Sequence, residues 1–182
     1  MARLADDVAL MERGTITSFG PLPEQLAVID RTGLYCRGSE SSVLDGQIRD
    51  IDTTYHLATI DIPSANGRHL TLRATGSSLR RGQFVRVSIP AKDISLSHTA
   101  VRDSSILNIV EANIIETQRL DHGRSMIHLD IDGLQLLAAI TCKSLDEMQL
   151  SIGDKIYAQI KGLAIEPKKH SPIQIETKPT NP

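Results

Sequence analysis

Aromatic surface is nearly missing from this chain: Phe19, Phe84, Tyr35, Tyr55 and Tyr157 are the whole complement, 3% of 182 residues, and there is no tryptophan. No platform for stacking single-stranded bases is visible in so scattered a set. An excess of one charge is missing as well, with 20 basic against 22 acidic residues and a formal net charge of −2. Nothing therefore draws the chain generally to phosphate backbones or anionic lipids, and nucleic acid is not expected as a partner. Two cysteines, Cys36 and Cys142, lie too far apart for a CxxC pair and are read as reduced thiols. The longest apolar run, Leu134 to Ile140, is broken by Gln135 and falls far short of the roughly 20 residues of a membrane span. Met1 to Asp7 carries acids where a secretory leader needs an apolar core, so the expected location is cytoplasmic.

Catalytic grammar is absent too. A phosphate-gripping GxxxxGK[ST] loop is missing: Gly33 to Gly38 has the glycine spacing, but Ser39-Glu40 follows where Lys-Ser/Thr is required. Leu79-Arg80-Arg81-Gly82-Gln83 and Leu150-Ser151-Ile152-Gly153-Asp154 superficially resemble an ABC signature, yet both occupy matched places in a repeat and read as turns. The six histidines, His56, His69, His98, His122, His128 and His170, show no metal-ligand spacing, and His56 and His128 read as half-buried fillers of matched strands. Asp130-Ile131-Asp132-Gly133 opens like a calcium loop but lacks the later carboxylates, which leaves a hairpin turn.

What is present is a globular composition, 40% apolar and 23% charged, in a chain long enough to bury roughly 70% of its unfolded surface. Leu4, Val8 and Met11 recur at helical spacing before Gly14, a β-prone run Thr15 to Phe19 follows, and Gly20-Pro21 reads as a turn. Pro23 then starts a second helix through Leu26, Val28 and Ile29. From about Ser41 the pattern becomes β, and it repeats. Val43 to Ile48 matches Ile109 to Ile114 at an offset of 66; Leu57 to Ile62 matches Met126 to Ile131 at 69; Leu79 to Ile89 matches Leu150 to Ile160 at 71. Offsets drifting by a few residues mean loop insertions between equivalent strands, hence two tandem β units. In the strand after Gly82, Val85, Val87 and Ile89 face one side while Phe84, Arg86 and Ser88 face the other. Thr141 to Leu150 breaks the β pattern with a short helix capped around Ser144, and the Pro-, Lys- and Thr-rich tail from 167 to 182 is expected to be loosely ordered.

Arg3 to Ile16, followed by Phe19-Gly20-Pro21 and Pro23-Glu24-Gln25-Leu26, resembles the end of an ABC-transporter ATP-binding domain. Ser104 to Val110 and Tyr157-Ala158-Gln159-Ile160-Lys161 resemble the C-terminal TOBE modules of molybdate-transport ATPases and the small molybdate-binding proteins called molbindins. The resemblance implies a mainly β fold: two tandem OB-like TOBE barrels, residues 40–98 and 104–166, preceded by a short α/β remnant of an ABC ATPase domain in 1–35. It also implies a molybdate or tungstate ligand, held by Ser105, Asn108, Thr141 and Lys161, with hydroxyl and amide donors reading the oxygens and lysine offsetting their charge. The family motif Ser-x-Arg-Asn has Leu107 in its arginine place here, and Gly162 follows Lys161 where serine is common, so weakened binding is expected. A homodimer, and the membrane permease of an importer reached through an ATPase part at the inner face of the cell membrane, are the implied partners.

Two functions thus compete: a regulatory segment of a molybdate-import ATPase, beginning inside the ATPase domain, or a stand-alone molybdate-binding and storage protein of the molbindin type. Residues 1–35 favour the first, since storage has no use for an ATPase remnant. No catalytic residue, metal ligand or cofactor is assigned, and the chain itself is not expected to be an enzyme. It should release no phosphate from Mg-ATP above buffer; turnover that co-purifies with the protein through two chromatographic steps contradicts this.

Overall fold

Alternation in the sequence becomes alternation in burial. In His69–Thr75 every second side chain, Leu70, Leu72 and Ala74, is buried, and Phe84–Pro90 buries Val85, Val87 and Ile89 in the same rhythm, as a sheet with one face on a core requires. The computed structural model describes residues 7–12, 14–21, 40–76, 79–101 and 103–167. Within them the chain is mainly β: strands β1 (Asp7–Glu12), β2 (Thr15–Pro21), β3 (Ser41–Asp52), β4 (Leu57–Pro63), β5 (His69–Thr75), β6 (Phe84–Pro90), β7 (Ile94–Ser97), β8 (Asn108–Leu120), β9 (Arg124–Ile131), β10 (Leu134–Thr141), β11 (Lys155–Ile160) and β12 (Ala164–Pro167), with one α-helix, α1 (Cys142–Glu147). They form two five-stranded antiparallel sheets, β5-β4-β3-β6-β12 and β10-β9-β8-β11-β7, each curled into a half-barrel, beside the separate hairpin β1-β2.

The repeat reappears bond for bond. Ile48 N–H donates to Gln83 O at 2.9 Å and its carbonyl accepts from Gly82 N–H at 2.8 Å; Ile114 does the same with Asp154 O at 2.9 Å and Gly153 N–H at 2.8 Å. Each pair of sheet partners slips register at the next position, between Ile48 and Asp50 and between Ile114 and Glu116, so both long strands carry a bulge at the matched place and bend there. Gly82 and Gly153 sit in the turns before β6 and β11 with φ of 79° and 94°, a conformation that costs glycine nothing. The β9–β10 hairpin closes on Asp132 and Gly133, with φ of 52° and 90°, as a two-residue turn of the primed type demands.

The fifth strand of each sheet comes from the other repeat. β7 follows β6 in sequence but pairs with β11, Ile94 opposite Ile160, while β12 follows β11 and pairs with β6, Ala164 opposite Ser88. Two side chains reinforce the exchange at matched positions, Ser42 and Asn108, again 66 residues apart. Leu137 N–H on β10 donates to Ser42 Oγ at 2.8 Å. Arg73 N–H on β5 donates to Asn108 Oδ1 at 2.7 Å, and Asn108 Nδ2 donates back to Arg73 O at 2.8 Å. Each long strand thus hooks the edge strand of the opposite sheet, and one hydrophobic cluster runs through both, from Ile48, Ile60 and Leu72 to Ile114, Leu129 and Ile156. Each such fully buried side chain contributes about 1.5–3 kcal/mol.

Three expectations are corrected. Asp7–Glu12 is a strand, not part of a helix: a helix this short is marginal in water, and Gly14, with φ of 85°, turns the chain back so that β-branched Thr15 and Ile16 pair with it. Gly20 and Pro21 lie within β2, opposite Val8 and Asp7, rather than in a turn. His56 precedes β4 in a turn with φ of 51° and is exposed, whereas His128 is buried in β9. The expected helix from Pro23 and the tail beyond residue 167 lie outside the described residues.

Removal of the Asn108 hook leaves a backbone N–H and a carbonyl of Arg73 unmatched, so Asn108→Ala should cost about 1–3 kcal/mol of unfolding free energy, and Ser42→Ala, which strands one N–H, less. Urea titration reads both; a loss below about 0.5 kcal/mol in Asn108→Ala, the size of an ordinary surface substitution, contradicts the role.

Candidate functional site

Ser105, Leu107, Asn108 and Lys161 come to one end of the β8–β11 ladder, because Asn108 pairs with Ile160 and Lys161 is the next residue. Ser105 lies in the bend before β8 and is exposed, while Ser104 Oγ accepts Ile106 N–H at 3.1 Å and shapes that bend. Leu107, 55% exposed, puts an apolar side chain where the resemblance expects a guanidinium. Lys161 is exposed and its N–H donates to Asp93 O at 2.9 Å. Asp93 also accounts for Gly162: a Cβ built there would stand 2.8 Å from Asp93 Oδ2. A serine there would require the Asp93 side chain to shift, and that carboxylate places negative charge beside Lys161. Asn108 is buried, and its amide is tied to Arg73, so one of its two N–H donors and its oxygen are already engaged.

Thr141 is elsewhere in the sheet. It pairs with Arg124, which follows the ladder to Leu120 at the far end of the 13-residue β8. Its hydroxyl caps α1, accepting Ser144 N–H at 2.9 Å and sharing a 2.8 Å hydrogen bond with Ser144 Oγ, so the cap is Thr141 and not the Ser144 that the sequence suggests. α1 is further pinned to β8 by the ion pair between Arg119 and Asp146. That hydrogen bond, and then the charge of Asp146, raise the pKa of Arg119 above its ordinary value. Cys142 Sγ donates to Arg124 O at 3.1 Å and lies 3.1 Å from Ser125 Oγ.

Thr141 lines a pocket of about 540 Å³ between α1, the end of β10 and the start of β7, together with Ser144, Ser95, Lys92, Arg124 and Glu40; Ser105, Asn108 and Lys161 are not among its lining residues. The volume falls in the range of small-molecule sites. Arg124 Nη2 meets Glu40 Oε1 at 3.2 Å, with side-chain exposures of 36% and 12%. Sequence reading missed Lys92, Ser95, Arg124 and Glu40. The repeat held a usable signal: Glu40-Ser41-Ser42 is the 66-offset counterpart of Ile106-Leu107-Asn108, so a second seam was to be expected beside the first. No group of three His, Cys, Asp or Glu able to hold a metal occurs among the described residues, and no helix there is long and apolar enough to cross a membrane.

Residues 104–165 match the TOBE domain family. Over 166 residues, 91% of this chain, the sequence is 33% identical to the molybdenum import ATP-binding protein ModC of Pseudomonas savastanoi pv. phaseolicola, 35% to that of Pseudomonas aeruginosa and 37% to ModC 2 of Azotobacter vinelandii. The aligned stretch is 45% of each of those proteins, so the chain spans less than half their length. Among solved structures, the cytoplasmic molybdate-binding protein ModG, crystallised with molybdate bound, superposes with a TM-score of 0.59 at 20% identity, covering 70% of this chain and 96% of that one. At that identity the likeness establishes the OB-like β fold.

A side chain that caps a helix and one that merely faces ligand respond differently to substitution. Thr141→Ala should lower unfolding free energy by about 1 kcal/mol with no ligand present, while Thr141→Ser, which keeps the cap oxygen, should stay near wild type. Equal urea midpoints for wild type and Thr141→Ala contradict the cap.

Proposed function

We propose that this chain is the regulatory, oxyanion-binding segment of a molybdate-import ATPase, carrying no nucleotide chemistry of its own. The observation that supports this best is the meeting of Ser105, Asn108 and Lys161 at one ladder end, inside the stretch that matches the TOBE family. A tetrahedral dianion is held in water by several N–H and O–H donors with positive charge nearby. Ser105 offers a hydroxyl, Asn108 its remaining N–H and Lys161 a point cation. Thr141, which lines a different pocket in the same chain, would join the set from a second copy, so a homodimer belongs to the proposal. Molybdate and tungstate share the chemistry, and a permease partner and a place at the cytoplasmic face of the membrane belong to the proposal, supported by the import role in the relatives' names.

The alternative is a stand-alone molybdate-binding protein, supported by the fold shared with ModG. The hairpin β1-β2 favours the importer reading: it joins neither sheet, and it leaves Met11, Ile16 and Phe19 exposed, a feature without purpose in a storage protein.

Leu107 and Asp93 set the expected strength. An apolar side chain in place of a guanidinium removes charge-assisted bonds worth about 1.5–3 kcal/mol, and the Asp93 carboxylate opposes an anion at Lys161. Calorimetric titration with molybdate should therefore show Leu107→Arg binding tighter by about ten- to 150-fold, and Lys161→Ala weaker by at least about tenfold. Unchanged affinity in Lys161→Ala places the anion elsewhere.

A further inference from the structure

Two strand edges face each other across a slot that has no part in the reading above. β5 is hydrogen-bonded to β4 alone, and β8 from Asn108 to Ala112 is hydrogen-bonded to β11 alone. Antiparallel pairing aims the backbone groups of alternate residues to opposite sides of a strand. Arg73 gives both its N–H and its carbonyl to Asn108, so Thr71 and His69, two and four residues back, also turn theirs away from β4. Ile114 bonds the turn before β11 with both of its groups, so Ala112 and Val110 turn theirs to β11, and Glu111 turns its own the other way. His69, Thr71 and Glu111 all line one pocket of about 290 Å³, together with apolar Leu70, Val110 and Ile131, which belong to the shared hydrophobic cluster or pack against it. One end of the slot is pinned by Asn108 on Arg73. At the other the hairpin tips touch: a Cβ built on Gly133 would stand 3.0 Å from that of Ala65, and Arg68 Nη1 reaches Asp132 Oδ2 at 3.7 Å.

We propose that this slot is a strand-acceptor groove and that its occupant is the chain's own segment 173–177, Ile-Gln-Ile-Glu-Thr, inserted between β5 and β8. Open rows of N–H and C=O at a sheet edge are a liability that proteins cover, and one inserted segment satisfies two facing rows at once, as in recognition by strand addition. The alternation fits the slot: in an extended segment Ile173 and Ile175 share one side, that of Leu70, Val110 and Ile131, and Gln174 and Glu176 take the other. The reach fits as well. β12 ends at Pro167, opposite Val85, and the neighbouring rung runs through Phe84, Gln47, Asp61 and Thr71 across the sheet to β5. Four steps between strands come to about 19 Å, and the six residues from Pro167 to Ile173 extend to about 20 Å, a limit that the curl of the sheet only relaxes. Tethering holds the segment at an effective concentration of about millimolar order, so a few ladder bonds suffice to seat it. The inference does not depend on the oxyanion reading.

The test is amide exchange with water, read by NMR on the full-length 15N-labelled chain. The His69, Thr71 and Glu111 amides should exchange at least about fivefold more slowly than in an Ile173→Asp/Ile175→Asp chain, whose segment is too polar to seat against the cluster. Ile173→Val/Ile175→Val should keep the protection. The Arg73 amide, held by Asn108, stays protected in all three chains and reports an intact fold. Equal exchange at His69, Thr71 and Glu111 in the parent and the aspartate variant overturns the proposal. Protection lost on about hundredfold dilution gives the groove to the tail of a second copy and overturns the occupant named here; protection that dilution leaves unchanged upholds it.

Discussion

Neither half-barrel owns its fifth strand, and that constraint governs everything else in the molecule. A four-stranded curl of β3, β4, β5 and β6 would end on an open row of backbone N–H and C=O groups beyond β6. Here β12 covers that row, and β7 covers the corresponding row of β11. Because each cover arrives from the other repeat, the sheets cannot separate without exposing both edges at once. Ser42 and Asn108 strengthen the lock at symmetric places by gripping backbone in the opposite sheet. The shared hydrophobic cluster follows from this geometry, since two interlocked curls present their inner faces to one interior.

The interlock also decides where polar chemistry collects. The residues that leave β6 and β11, Ala91–Asp93 and Lys161–Leu163, lie next to the starts of β3 and β8 through the β3–β6 and β8–β11 pairings, where Ala91 N–H donates to Glu40 O at 2.9 Å, and the exchange of β7 ties the two turns together, Lys161 N–H donating to Asp93 O at 2.9 Å. Two seams result, related by the repeat, each with lysine and hydroxyl donors beside a carboxylate. At one the acid is Asp93, whose carboxylate lies against Gly162; at the other it is Glu40, paired with Arg124.

Much of this was legible in the residues and some could not have been. Apolar alternation marks the strand faces correctly in Phe84–Pro90, and the offsets of 66 and 71 match the pairs Ile48/Ile114 and Gly82/Gly153 that make identical hydrogen bonds. The exchange of β7 and β12 was hidden, because a four-residue strand carries no record of which distant edge it will pair with. Asp7–Glu12 was misread for a related reason: apolar spacing over so few residues fits a helix and a hairpin equally, and pairing with β2 decides. At the site, the resemblance named Ser105, Asn108, Thr141 and Lys161 but not the hydrogen-bond partners that hold Asn108 and Thr141. Thr141 turned out to cap α1, and Asn108 to grip Arg73, because hydroxyl and amide groups serve folding and ligands through the same hydrogen bonds.

The claim on which the account stands is that an oxyanion settles where Ser105, Asn108 and Lys161 converge beside the interlock. Crystals of the full chain grown with molybdate, measured on both sides of the molybdenum absorption edge, locate the metal atom directly. An anomalous peak between Ser105 and Lys161, within hydrogen-bond range of the Asn108 amide through the bound oxygens, is the predicted result. A map with molybdenum at other places and none at that ladder end contradicts the account.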